Sequence, residues 1–159
     1  MPEPESDIVA EHAEMIGRVA LAWTDLDQVL GNLFELFSGL TTDKAQAIYF
    51  LPKSDRTQRE MLRTIAKIAL EPHPDLWSSF KSAMDGIDTL SRERNAAMHQ
   101  SWGVQFPDPK FVPSHLTPRH KALKPDFATQ FQSLQKQLND KFFELLEVRK
   151  EYRKRIGSP

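Results

Sequence analysis

The chain has 159 residues, 40% hydrophobic and 27% charged, a balance that fits one globular domain and excludes a disordered chain. It holds no cysteine, which excludes disulfides, thiolate chemistry and Cys-ligated zinc or iron–sulfur centres. Net charge is −1 and the pI is near 6.5, which excludes a uniformly basic nucleic-acid coat protein, but residues 1–50 carry net −7, residues 51–100 net +1 and residues 101–159 net +5.

The opening Met1-Pro2-Glu3-Pro4-Glu5 is acidic and lacks an apolar run. Residues 1–6 are therefore expected to be a frayed tail and not a signal peptide. No uncharged apolar stretch approaches the roughly 18 residues of a membrane span, so no membrane partner and a cytoplasmic location are expected. A long helix is predicted from about Asp7 to Ser38. Its seam of Ile16, Val19, Trp23, Leu26, Leu30, Leu33 and Phe37 steps by 3, 4, 3, 4, 3 and 4, which keeps one stripe against partner helices. Gly39, Thr41 and Thr42 break it. A short helix over about Thr42 to Phe50 carries Ala45, Ile48 and Tyr49, and Pro52 ends it.

Ser54 can cap a helix over about Asp55 to Leu70, with Met61, Leu62, Ile65 and Ile68 or Ala69 inward. Pro72 and Pro74 stop it. The next helix, about Asp75 to His99, turns Phe80, Met84, Ile87, Leu90 and Met98 inward. Residues 101–125 hold five prolines and read as an ordered insertion with a small hairpin around Pro107-Asp108-Pro109-Lys110. A last helix, about Phe127 to Ile156, buries Phe131, Leu134, Leu138, Phe142, Leu145 and Tyr152. The fold class is all-α: an antiparallel four/five-helix bundle with a Pro-rich insertion, in one domain over residues 7–156.

One constellation carries chemistry. Arg94 lies seven residues after Ile87 and continues the apolar line of Phe80 and Ile87. A guanidinium on a core-facing line is costly unless paired or placed at an opening. Asn95 and His99 are four apart and share a helical face. Arginine holds a phosphate through two parallel hydrogen bonds, and histidine titrates near neutrality. The set suits a phosphodiester, and an RNA 2′-hydroxyl could supply the nucleophile without a metal.

The run Arg94-Asn95-Ala96-Ala97-Met98-His99 resembles the motif of HEPN domains (higher eukaryote and prokaryote nucleotide-binding): an arginine, a polar residue, three residues, a histidine. Its place at a late helix end, before an irregular segment and a closing helix, is similar too. Trp23 with Asp27 resembles a Trp-and-acid pattern of small bacterial HEPN-like proteins. The resemblance covers residues 10–155 in architecture and six residues in motif. It implies a homodimer with two motifs facing each other. It also implies either a metal-independent endoribonuclease, of the kind found among toxins of toxin–antitoxin pairs, or a member that only binds. By that resemblance Arg94 would orient and stabilise the phosphate and His99 would be the general acid or base. Asn95 would position the phosphate or the histidine. No metal or other cofactor is implied; the implied partners are a second copy, RNA or a nucleotide, and a cognate antitoxin or other protein. A toxin subgroup has tyrosine two residues after the histidine. Here that position is Ser101, so modification by a cognate nucleotidyltransferase is not expected.

Three further features each admit a functional and a structural reading. Arg56, Arg59, Arg63 and Lys67 step by 3, 4 and 4 and could track an RNA backbone or form a solvated helix face. The insertion combines Lys110, His115, Arg119, His120, Lys121 and Lys124 with Trp102, Phe106 and Phe111. Cations and aromatics together bind single strands, and aromatics equally pin a loop to a bundle; Trp102 is the candidate RNA contact there. The basic stretch from Arg149 to Arg155 suits either RNA or the last helical turns, where cations are stabilising. No Glu-x-x-His, His-Glu-x-x-His, glycine-rich phosphate loop or Gly-x-Ser-x-Gly elbow occurs. The leading expectation is RNA binding or metal-independent cleavage through Arg94, Asn95 and His99. A non-catalytic helical interaction module and a nucleotide-binding accessory protein are the alternatives.

Overall fold

The structure, a computed structural model, describes residues 4–99, 102–105, 110–113 and 127–157. These form an all-α bundle of five helices, α1 (Pro4–Ser38), α2 (Thr42–Tyr49), α3 (Asp55–Ala69), α4 (Pro74–His99) and α5 (Phe127–Arg155). A two-stranded hairpin of β1 (Trp102–Gln105) and β2 (Lys110–Pro113) stands between the last two helices.

The helix ends follow from local chemistry. α1 starts at Pro4, three residues before the expected boundary, because proline in a first helical turn forfeits no intrahelical bond. It stops at Gly39, whose φ of 66° is left-handed and favours glycine. The Gly39 N–H donates to the Glu35 carbonyl at 3.1 Å. Thr42 at the head of α2 donates its hydroxyl to the Glu35 carboxylate at 2.8 Å. The Ser54 hydroxyl caps α3 by accepting the Thr57 N–H at 3.4 Å, an arrangement worth about 1 kcal/mol. Pro74 is the first residue of α4.

The chain divides into two compact units, each drawing on non-contiguous stretches. One comprises Thr24–Asp88 with Asn139–Pro159. Its core is apolar: Leu26, Leu30 and Leu33 from α1, Tyr49 from α2, Phe80 and Met84 from α4 and Leu145 from α5 are all at most 2% exposed. Each such side chain contributes about 1.5–3 kcal/mol of burial. Phe37 meets Phe80 and Tyr152 edge-on, with ring centroids 5.7 and 5.1 Å apart. Asp75 near the start of α4 pairs with Arg155 at the end of α5, and Gly86 further along α4 faces Lys141 nearer the start of α5. These segments are therefore antiparallel. Arg59 with Asp88 and Arg63 with Asp85 give α3 and α4 the same relation.

One inward assignment in this unit needs correction. Of the alternatives Ile68 and Ala69, Ile68 is 68% exposed. On α3 the buried stripe is Gln58, Arg59, Leu62 and Ala66, followed by Leu70, so the helix is rotated from the expected face.

The other unit comprises Met1–Trp23 with Thr89–Leu138. Val19, Ala22 and Trp23 of α1, Leu90 and Ala97 of α4, and Phe131, Leu134 and Leu138 of α5 are buried. The hairpin occurs where the insertion was expected to form one, with Trp102 opposite Pro113 and Gln105 opposite Lys110. Residues 106–109, Ser101, and the stretch 114–126 with His115, Arg119, His120, Lys121 and Lys124 lie outside the described residues.

Candidate functional site

The sequence Arg92-Glu93-Arg94-Asn95-Ala96-Ala97-Met98-His99 is helical to its last residue, as expected of a run dominated by good helix formers. Leu90 and Ala97 are 3% and 1% exposed. Arg94 falls between them at steps of 4 and 3, on the inward stripe, and is half-buried. The sequence reading of Arg94 as a cation on a core-facing line is therefore what the fold contains.

An aromatic face lies against that cation. The Arg94 Cζ sits 4.7 Å from the ring centroid of Trp23, inside the roughly 6 Å range of cation–π attraction. Trp23 itself is 8% exposed, so the contact lies in a largely desolvated setting where such pairs are strongest. Arg94 also donates from Nη1 to the Asn95 Oδ1 at 2.8 Å.

Asn95 and His99 are both exposed and lie about 40° apart around the helix axis. His99 is the last residue of α4, where a cation suits the helix dipole. Arg94 and His99 are five residues apart on an unbroken helix, hence about 140° apart around its axis. α4 continues through His99. Asn95 shares the histidine's helical face and accepts from the Arg94 guanidinium.

The second candidate surface is rearranged by ion pairs. Arg59 is 6% exposed and donates Nε to Asp88 at 2.7 Å. Arg63 reaches Asp88 at 2.7 Å and Asp85 at 3.0 Å. Arg56 pairs with Glu60 along the exposed helix, and Lys67 is exposed. The row Arg56, Arg59, Arg63 and Lys67 is thus neither a solvated face nor a line of phosphate-ready cations: its centre is sewn to α4. Lys81 donates to Asp85 and, with Arg63, holds its carboxyl below the usual carboxylate range. Among the basic residues ending α5, Arg155 clamps Asp75 through two bonds of 2.8 and 2.6 Å, and Lys150 pairs with Glu147.

Trp102 lies in β1; its side chain falls outside what the structure describes. Two clefts are lined by residues other than those of α4's last turns. One, in the unit holding Arg94, runs between α1 and α5 and is lined by Glu14, Met15, Arg18 and Phe131. The other lies between α4 and α5 and is lined by Ser79, Ser82, Lys141 and Glu147. Among the described residues no group of three or more His, Asp or Glu side chains is arranged to hold a metal ion, and no helix is long and apolar enough to cross a membrane.

Sequence reasoning missed the part Trp23 plays. Its place on the α1 seam marks a core residue, and nothing in the local pattern says that its ring faces an arginine on α4. No family model, curated protein or solved structure matches this chain.

Proposed function

We propose that the chain is a HEPN-like RNA-binding protein that acts as a homodimer and cleaves RNA without a metal ion, Arg94 holding the phosphate and His99 moving the proton. The observation that supports this most is the end of α4: a half-buried guanidinium braced by Trp23 and Asn95, beside an exposed face bearing Asn95 and His99. The angular separation of Arg94 and His99 is the physical reason the reading calls for two copies. Facing motifs bring the guanidinium of one copy and the imidazole of the other to one phosphodiester.

The chemistry is a transesterification. The RNA 2′-oxygen bonds to the neighbouring phosphorus as the bond from phosphorus to the 5′-oxygen breaks. One His99 accepts the 2′-hydroxyl proton, and the partner's His99 gives a proton to the departing 5′-oxygen. Arg94 offsets charge on the non-bridging oxygens through charge-assisted hydrogen bonds. The products are a 2′,3′-cyclic phosphate and a 5′-hydroxyl.

The test is RNA incubated with purified protein in excess EDTA. Cleavage leaving cyclic-phosphate ends is expected, with a loss of about 10²–10⁴-fold in His99→Ala. Because His99 is exposed, that variant should melt with the wild type. Activity surviving His99→Ala excludes the mechanism.

A non-catalytic helical interaction module is the second reading. It is favoured by the exposed apolar residues Ile48, Phe50 and Leu51 at the end of α2, 44%, 41% and 79% exposed. It predicts no cleavage, and partner binding unchanged in His99→Ala.

A further inference from the structure

We infer that Arg149 and Arg153 of α5 form a binding site for a phosphate dianion, free or as a small monoester. The inference goes beyond the RNA reading and uses none of its residues. The two arginines stand four apart on one unbroken helix, about 6 Å along its axis and about 40° around it. Both are half-buried. In each, Nε is withdrawn from water and meets no hydrogen-bond acceptor among the described residues. A covered donor on a charged group is costly without an acceptor and calls for a partner. Like charges one helical turn apart also repel. The cations beside them are matched: Lys150 donates to Glu147 at 3.3 Å and Arg155 clamps Asp75. No carboxylate among the described residues pairs with Arg149 or Arg153, and no α5 residue three or four positions from either is acidic. The helix dipole accounts for one of the two. It acts within the last turn, which holds Arg153 and not Arg149.

The class of ligand follows from the donors. Each guanidinium is a planar fork that engages two oxygens at once. A carboxylate has two oxygens and one charge, which a single fork satisfies. A phosphate monoester presents three acceptor oxygens and a charge of about −1.5 to −2, which matches two forks and two positive charges. Exposed Lys154 beside Arg153 adds to the attraction. Long cationic side chains cover their stems and keep the charged head at the surface. The buried Nε atoms therefore anchor both side chains, and little rotamer freedom is left to lose on binding.

The test uses the full chain labelled with ¹⁵N and follows the Arg149 and Arg153 Nε–Hε resonances at fixed salt. Each is assigned by its disappearance in Arg149→Lys or Arg153→Lys. Methyl phosphate, a monoester, should move both resonances in a saturable titration. It should bind about tenfold tighter than dimethyl phosphate, which has one charge and two free oxygens. Inorganic phosphate is titrated alongside, and the tighter of the two identifies the free ion or the ester as the ligand. Arg149→Gln and Arg153→Gln should each weaken methyl phosphate about tenfold, read on the remaining arginine. If a glutamine variant loses its helical circular dichroism, the lysine variant replaces it. Lysine keeps the charge and lacks the fork, so a weakening of about threefold is expected. Resonances that neither methyl phosphate nor inorganic phosphate moves overturn the inference. So does equal affinity for methyl and dimethyl phosphate, or unchanged affinity in the variants. An oligouridylate without terminal phosphates that moves both resonances at lower concentration than methyl phosphate marks an RNA-strand contact, and overturns it as well.

Discussion

Asp88 accepts the Arg59 Nε at 2.7 Å, and the arginine is the buried partner: its side chain is 7% exposed against 43% for the aspartate. Removing the carboxylate takes an ionic partner from a cation that water hardly reaches. Breaking a fully buried pair costs about 3–5 kcal/mol; with one partner part-exposed and Asp85 still near Arg63, Asp88→Ala should cost about 2–3 kcal/mol. Asp85→Ala removes contacts to Lys81 and Arg63 in a more exposed setting and should cost less than about 1 kcal/mol. Urea denaturation of the two variants checks the order. Equal losses would mean that Arg59 does not depend on Asp88.

The same pair shows what the residue pattern made legible and what it did not. Periodicity located α1, and Ser54, Gly39 and Pro74 marked helix ends, because capping and proline geometry are local. The inner face of α3 was misread. Ile68 has the side chain of a core residue, yet Arg59 holds an inward position because Asp88, on another helix, neutralises it. Trp23 and Arg94 fail to announce each other for the same reason. Each sits on a regular helical stripe, and only the folded chain joins them. The motif of Arg94, Asn95 and His99 was readable, but its geometry depended on whether α4 ends before or after His99, and sequence places such ends only to within a residue or two.

Tyr49 is fully buried, and its hydroxyl has no hydrogen-bond partner among the described residues. Burial pushes its phenol well above the ordinary value, with Asp27 adding to the shift. The hydroxyl therefore stays protonated far into the alkaline range. A buried polar group without a partner costs about 1–3 kcal/mol, while the ring packs on Phe34 and Phe50 at centroid distances of 5.4 and 5.0 Å. Tyr49→Phe keeps the ring and removes the penalty. It should leave Tm unchanged or raise it by a few degrees; a clear fall in Tm would show that the hydroxyl is satisfied in solution.

Asp75 and Arg155 predict how the fold responds to acid. The two hydrogen bonds from Arg155 hold the Asp75 carboxyl well below its ordinary value. A carboxyl depressed in the folded state stabilises above its unfolded value, about 3.9, and that contribution is lost as pH falls through the lower folded value. Asp75→Asn should therefore melt below the wild type at pH 7, with the gap narrowing below about pH 4. Because the carboxylate is exposed, the gap should also shrink in high salt. A gap that does not change with pH would assign the effect to packing rather than to the charge of Asp75.

Gly86 sets two effects against each other. Alanine in the middle of a helix is favoured over glycine by about 0.8–1 kcal/mol. A Cβ at position 86, however, would fall 2.6 Å from the Lys141 Cε, so the lysine must swing away. The atoms in the way are the far end of a flexible chain, and what swinging costs is mainly the pairing of Lys141 with Glu144 at 2.7 Å, one of the partly exposed pairs worth about 0.2–1 kcal/mol. The propensity gain should win narrowly, leaving Gly86→Ala more stable by roughly 0.3–0.5 kcal/mol. Repeating the substitution in a Lys141→Ala background removes the obstruction, and the full gain of about 0.8–1 kcal/mol should then appear. The cycle separates the two contributions. A Gly86→Ala effect of the same size in both backgrounds would show that Lys141 does not press against α4 at Gly86.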